Sequence, residues 1–262
     1  MTSVTQLFDL TGKTAVVTGG TRGIGEMIAT GLLKQGARVF ITSRKPDAVK
    51  AAQERLSEFG EVHAVPSDLS TNEGGQAFAK WLGEQTDAID ILVNNAGATW
   101  GAALEEFPED GWDRVMDLNV KSIFFLTQAL LPQLQAASKA AGRGRIINIG
   151  SIEGLAVPMM EDTYAYPASK AAVHHLTKVM ARRLARDKIT VNAIAPGPFE
   201  SKMTAFALGN PEGRDAVSAH IPLGRIGAPD DMIGLSAFLA SPASDYVTGQ
   251  IIALDGGYAN LR

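Results

Sequence analysis

The chain predicts a doubly wound α/β domain, a parallel sheet with helices on both faces. Three observations carry this. Short apolar, β-branched runs alternate with longer stretches of helical period along all 262 residues. A glycine-rich turn joins the first such run to the first helical stretch. Small, polar or charged residues then follow each successive run, at the strand ends where open parallel sheets bind their ligands. No repeat, low-complexity tract or Pro- or Ser-rich linker divides the sequence, so residues 1–262 are expected to form one domain.

Composition narrows the function. Hydrophobic residues make up 45% of the chain, and the net charge of −4 comes from interspersed acids and bases. Without a basic stripe, nucleic acid is not an expected partner. There is no cysteine, which removes disulfides, thiolate metal sites and a cysteine nucleophile together. Met1 to Leu10 lacks the basic and apolar runs of a signal peptide. The apolar stretch Ile123 to Leu134 is too short to span a bilayer. A cytoplasmic protein without a membrane partner is the expectation.

Thr14 to Thr18 reads as the first buried strand. It runs into Gly19-Gly20-Thr21-Arg22-Gly23-Ile24-Gly25 and a helix over Glu26 to Gln35. Glycines let a backbone approach a pyrophosphate, and a helix N-terminus offers unpaired N–H groups. Taken alone the turn could be purely structural; its setting between strand and helix favours a dinucleotide. The second strand, Ala37 to Thr42, is followed by Ser43-Arg44-Lys45. An acidic residue about 20 positions after the glycines would bind ribose hydroxyls and select NAD. Here Arg44 stands at the strand end and Arg22 inside the loop, a pair suited to the 2′-phosphate of NADP(H).

Val62 to Val65 is the third strand, followed by Asp68 and Leu69, and Thr71 to Gln85 a helix. Ile89 to Val93 is the fourth strand, leading into Asn94-Asn95-Ala96-Gly97, and a long helix is expected from Asp110 to Leu134 through Asn119. Arg145 to Ile149 is the fifth strand, ending at Gly150-Ser151, and Ile189 to Ala195 the sixth, closed by Pro196-Gly197. The residues Gly19, Arg44, Asp68, Asn95, Ser151 and Gly197 follow successive strands and therefore converge on one sheet edge.

Between the fifth and sixth strands lies Tyr166-Pro-Ala-Ser-Lys170. The stripe Ala168, Ala172, Leu176, Met180 and Leu184 predicts a helix, with Asp162 or Thr163 as its N-cap. Tyr166 and Lys170 then leave the same helix face one turn apart. A nearby ammonium favours the phenolate and is expected to lower the tyrosine pKa, giving a general acid/base for an alcohol oxygen. Tyr164 has no such partner, since Ala168 lies four residues on.

With these residues assembled, the chain resembles the short-chain dehydrogenase/reductase family along nearly its whole length. The motifs occur in order: Thr18-Gly-x-x-x-Gly-Ile-Gly25, Asn94-Asn-Ala-Gly97, Asn119, Ser151, Tyr166-x-x-x-Lys170, Pro196-Gly197 and the Asp255-Gly256-Gly257 ending. The resemblance implies a Rossmann-type sheet of seven strands, the last over Gln250 to Leu254, and a homotetramer. It implies Tyr166 as proton donor or acceptor, Lys170 as its modulator and holder of the nicotinamide ribose, Ser151 as ligand of the substrate oxygen, and Asn119 as anchor of a relay water. Asp68 and Leu69 would meet adenine, Asn95 and Gly97 the adenosine side, and Pro196, Gly197 and Ser201 the nicotinamide end. The family often has threonine at the position of Ser201, and the hydroxyl is retained.

Within the family the chain is similar to 3-oxoacyl reductases of the rhamnolipid-associated type, notably at Asn148-Ile-Gly-Ser151, Tyr164-Ala-Tyr166 and Asp255-Gly256-Gly257. That implies NADPH-dependent reduction of a ketone, foremost a 3-oxoacyl thioester carried on coenzyme A or an acyl-carrier protein. A dehydrogenase for a sugar, polyol or hydroxy-steroid would keep every catalytic residue; an NADP-binding sensor without turnover would not need them. Residues 198–226 are expected to form a lid, with Phe199, Met203, Phe206 and Leu208 facing a pocket also walled by Met159, Met160 and Trp100. Arg143, Arg145, Lys202, Arg214 and Arg225 are candidates for a basic rim around it. His63, His174, His175 and His220 show no metal-ligand spacing, so no metal is expected. Ser151 lacks the surrounding Gly-x-Ser-x-Gly of a hydrolase.

Overall fold

A computed structural model describes residues 2–158, 161–259 and 261. After a short N-terminal helix α1 (Val4–Leu7), strand β1 (Thr14–Thr18) leads through the glycine turn to α2 (Gly23–Lys34). The units β2 (Arg38–Ser43) with α3 (Pro46–Leu56) and β3 (Val62–Pro66) with α4 (Asn72–Gln85) complete the first half. The second half runs β4 (Ile91–Asn94), α5 (Glu109–Met116), α6 (Ser122–Ala129), α7 (Leu131–Ala141), β5 (Gly144–Ile149), α8 (Ala165–Leu184) and β6 (Ile189–Pro196). Two short helices follow, α9 (Ala205–Leu208) and α10 (Pro211–Ser218), then α11 (Pro229–Ala240) and β7 (Ile251–Leu254).

All seven strands pair in parallel in the order β3-β2-β1-β4-β5-β6-β7. The order reverses between β1 and β4, and the crevice at that switch point is where such sheets take ligands. Side-chain alternation divides the core. Ala15, Val17, Val39, Ile41, Ile91, Val93 and Ile147 face α2, α3 and α11. Val16, Phe40, Leu92 and Ile146 face α4, α6, α7 and α8. Burial on both faces is why the strands read as unbroken apolar runs.

Three expectations change. The long helix after β4 is interrupted by a π-helical turn, Asp117–Lys121, centred on Asn119, and it breaks again at Leu130. Periodicity cannot register one extra residue in a turn, and π turns gather at functional positions. On α8, Met180 and Leu184 are buried as expected, but its inner face runs through Ala165, Ser169, Val173 and Thr177, with Lys170 and His174 beside it. Much of that face is polar because it satisfies buried groups of β5 and the π turn, and a search for apolar spacing therefore selects the wrong face. Neither Asp162 nor Thr163 caps the helix. Tyr164 occupies the N-cap position without a side-chain capping bond, its hydroxyl donating instead to the Asp162 carboxylate (3.2 Å), and Asp162 adopts a left-handed φ of 67°.

Candidate active site

The glycine turn is built by steric exclusion. A Cβ on Gly25 would lie 2.3 Å from the Gly19 carbonyl oxygen and 2.4 Å from Asn95 Nδ2. Gly19 itself needs φ +65°, a region costly for side-chain-bearing residues. Asn95 holds the turn in place, donating through Nδ2 to the carbonyls of Thr18 (2.8 Å) and Gly19 (3.2 Å). The Thr18 hydroxyl accepts from the N–H groups of Asn95 (2.9 Å) and Ala96 (3.0 Å), joining the ends of β1 and β4. Asn95 thus has a structural task that its sequence context did not disclose.

A cleft of about 830 Å³ opens along the carboxyl ends of the strands. Gly19, Thr21, Arg22, Gly23, Ile24 and Gly25 form one wall. Arg44, Leu69, Asn95 and Gly97 continue it, while Ser151, Tyr166, Lys170, Pro196, Gly197 and Ser201 stand further along the same cleft. Asp68 is the exception. It is exposed and does not line the cleft; its carboxylate accepts from the Ser70 N–H (3.0 Å) and hydroxyl (2.7 Å). Burial works against that charge, but the Ser70 bonds together with Arg44 and Arg114 hold its pKa below the usual value.

The residues fit a dinucleotide. The glycine cradle leaves backbone exposed at a helix start where Arg22, the N-cap residue, supplies no side-chain cap. Arg22 and Arg44 are both exposed, and neither side chain makes a hydrogen bond or salt bridge among the described residues. Arg55, unremarked in the sequence, donates to the Thr21 carbonyl (3.2 Å) while pairing with Glu26 (2.8 Å), and so neutralises the nearest acid of α2.

At the other end, Ser151 follows β5 and Tyr166 opens α8. Lys170 is buried, with Nζ donating to the Ile149 carbonyl at 2.8 Å and lying 5.6 Å from the Tyr166 ring centre. The expected lowering of the tyrosine pKa is reversed. Burial pushes the Tyr166 phenol up to about 12, Glu153 adds to the rise, and the Ser151 hydroxyl opposes it. Burial likewise pushes Lys170 down to about 8. Desolvation is the leading cause for both groups, since burial disfavours the charged form of each. A phenol so held stays protonated at neutral pH and is equipped to donate.

Asn119 is fully buried, and its amide is committed to protein. Oδ1 accepts from the Ala98 N–H (2.8 Å), and Nδ2 donates to the Ala98 carbonyl (2.9 Å) and to Ser169 Oγ (2.9 Å). Asn148 plays a similar part, receiving a bond from Asn94 (2.9 Å) and giving one to Thr177 (2.9 Å). Buried amide ladders of this kind link β4, β5 and α8 and fix the spacing between Ser151 and Tyr166.

Phe199, Met203, Phe206 and Leu208 all line the cleft, on a segment that carries α9 and α10 rather than one helix. Trp100 does not: it packs on Gly111, whose Cβ would meet it at 2.7 Å, and Arg114 stacks over it at 5.6 Å. Met159 and Met160 lie outside the described residues. The expected basic rim is largely neutralised. Arg143 and Arg145 pair with Asp245, Arg214 with Glu200 and Arg225 with Asp231. Of the five, Lys202 alone lacks a salt bridge among the described residues.

Comparison with known proteins sets this cleft in a class. The family model described as enoyl-(acyl carrier protein) reductase, of the short-chain dehydrogenase type, matches residues 19–259. The chain belongs to the short-chain dehydrogenase/reductase family, and its class is that of an NADP-dependent oxidoreductase. It is 49% identical over 251 residues to the rhamnolipids biosynthesis 3-oxoacyl-[acyl-carrier-protein] reductase of Pseudomonas aeruginosa, covering 96% of this chain and 98% of that protein. The solved RhlG/NADP active-site complex of the same organism superposes with a TM-score of 0.93 at 48% identity, covering 97% of this chain and 99% of that one. The gluconate 5-dehydrogenase of Gluconobacter oxydans is 37% identical, with 96% of each chain covered.

Proposed function

We propose that this protein reduces the ketone of a 3-oxoacyl thioester with NADPH. The observation that carries the reading is one cleft in which an unpaired arginine pair beside the glycine turn is continuous with Ser151, Tyr166 and an apolar segment over 198–226. The identity of 49% to a 3-oxoacyl reductase, against 37% to a gluconate dehydrogenase, supports the acyl substrate.

When bound, NADPH supplies the hydride. The chain supplies the rest. Gly19, Thr21, Gly23, Ile24 and Gly25 would hold the pyrophosphate, Arg22 and Arg44 the 2′-phosphate, and Leu69, Asn95 and Gly97 the adenosine side. Pro196, Gly197 and Ser201 would meet the nicotinamide end. Ser151 donates a hydrogen bond to the ketone oxygen and so fixes its position beside the phenol. Tyr166, protonated at neutral pH, gives that oxygen its proton. Lys170 stands behind it as a buried cation that stabilises the phenolate left after transfer. Asn119 acts as a positioning residue that ties α8 to the Ala98 turn, since both its amide protons are already used.

The neutralised arginines argue against an extensive basic rim, so the thioester itself is read as the recognised unit. Phe206, 67% exposed, and Met203 supply a surface for the acyl chain. We further propose a cytoplasmic homotetramer, in which the exposed Trp112, Phe124 and Phe125 of α5 and α6 would be covered by another copy.

The test is loss of NADPH absorbance with acetoacetyl-CoA, a longer 3-oxoacyl-CoA, an aromatic ketone and a ketosteroid, each repeated with NADH. Turnover of thioesters with NADPH supports the proposal. Activity on another ketone alone keeps the proton donor and removes the substrate class.

A further inference from the structure

We infer that Glu153 selects substrates by charge, excluding ketones that carry a carboxylate near the reacting carbonyl and admitting uncharged ones. This deepens the proposed function, on which it rests.

Glu153 lies two residues beyond Ser151, in the 3-10 turn Ile152–Gly154. Its N–H donates to Ser151 Oγ at 3.1 Å, so its backbone is tied to the hydroxyl that faces the ketone. Its side chain lines the cleft with Ser151 and Tyr166, yet it is only half-exposed and makes no hydrogen bond or salt bridge among the described residues. A carboxylate partly withdrawn from water and unpaired is unfavourable for folding, so the fold itself does not account for it. Burial raises its pKa, and its charge adds to the rise of the Tyr166 phenol, in keeping with its place beside Ser151 in the cleft.

Among the described residues no cation of the cleft pairs with Glu153. Lys170 donates to Ile149, Arg114 stacks on Trp100, and Arg22 and Arg44 stand at the glycine turn. Lys202 sits on the segment over the cleft, exposed to water, where its charge is screened. A substrate carboxylate beside the ketone would therefore meet a like charge at reduced dielectric, where repulsion is strongest. A thioester or ester presents none.

The experiment compares wild type, Glu153→Gln and Glu153→Ala on methyl acetoacetate and acetoacetate with NADPH. The ratio of kcat/KM, ester over acid, should fall at least about tenfold in both variants, about 1.4 kcal/mol. A ratio that changes in the alanine variant alone reports shape rather than charge and overturns the inference, as does a ratio held within about twofold in both. Competition by hexanamide and hexanoate in the NADPH-loaded protein, read by NADPH fluorescence, separates this from the substrate proposal. Preference for the amide, lost in Glu153→Gln, supports charge selection even if no oxoacyl compound is reduced, whereas equal binding in wild type overturns it.

Discussion

Lys170 donates its ammonium to the carbonyl oxygen of Ile149 at 2.8 Å, which anchors the start of α8 to the end of β5 two residues before Ser151. The bond joins the proton donor's helix to the substrate-facing loop through a cation that is only 4% exposed. Burial pushes its pKa in the folded protein down to about 8, below the usual lysine value of 10.5. Between those values the unfolded chain binds more protons, so the contribution of Lys170 to stability rises with pH across that window. Below it the cost of burying the charge is fully present. The stability of Lys170→Met relative to wild type should therefore be greatest near pH 7 and decline toward pH 10, by about 3 kcal/mol at most. Urea unfolding at a series of pH values measures it; a difference independent of pH would contradict the burial argument.

Tyr166→Phe removes the proton donor and little else, because the ring stays. Reduction should slow by about 10²–10⁴-fold, while NADPH binding changes far less. Single-turnover absorbance and NADPH fluorescence separate the two; near-normal turnover would show that the proton comes from another group.

Arg44→Asp places a carboxylate where the 2′-phosphate is proposed to lie. The NADPH-to-NADH ratio of kcat/KM should fall by at least about tenfold, given roughly 1.5–3 kcal/mol for a charge-assisted hydrogen bond. Arg22→Ala should act in the same direction. A preference unmoved by both variants would sink the arginine argument.

Gly25→Ala would thrust a methyl against the Gly19 carbonyl and the Asn95 amide, both within 2.4 Å of the ideal Cβ. Overpacking of this kind costs about 1–3 kcal/mol. Thermal unfolding should show that loss, and NADPH affinity should fall with it. Wild-type stability would mean that the turn can shift without cost.

Much of this protein is determined locally. The strands are legible because each is buried on both faces, and the helix starts because glycines and strand ends punctuate them. The convergence of Gly19, Arg44, Asn95, Ser151 and Gly197 on one edge follows from parallel order alone. Tyr166 and Lys170 share a helix face by spacing, which no tertiary contact is needed to predict.

What the tertiary structure decided depends on partners distant in sequence. Asn95, Asn119 and Asn148 become clamps because β1, β4, β5 and α8 bring their bonding partners to them, as in Asn148 to Thr177. The inner face of α8 is polar for the same reason, which hid it from apolar periodicity. The arginines expected at the rim found acids elsewhere in the chain, and Trp100 found Gly111. The sign of the Tyr166 shift belongs to this second group. Spacing places the ammonium near the phenol, but the desolvation that raises the phenol and lowers the lysine is a property of the packed cleft. Local spacing sets which groups can meet, and burial sets the protonation state in which they meet.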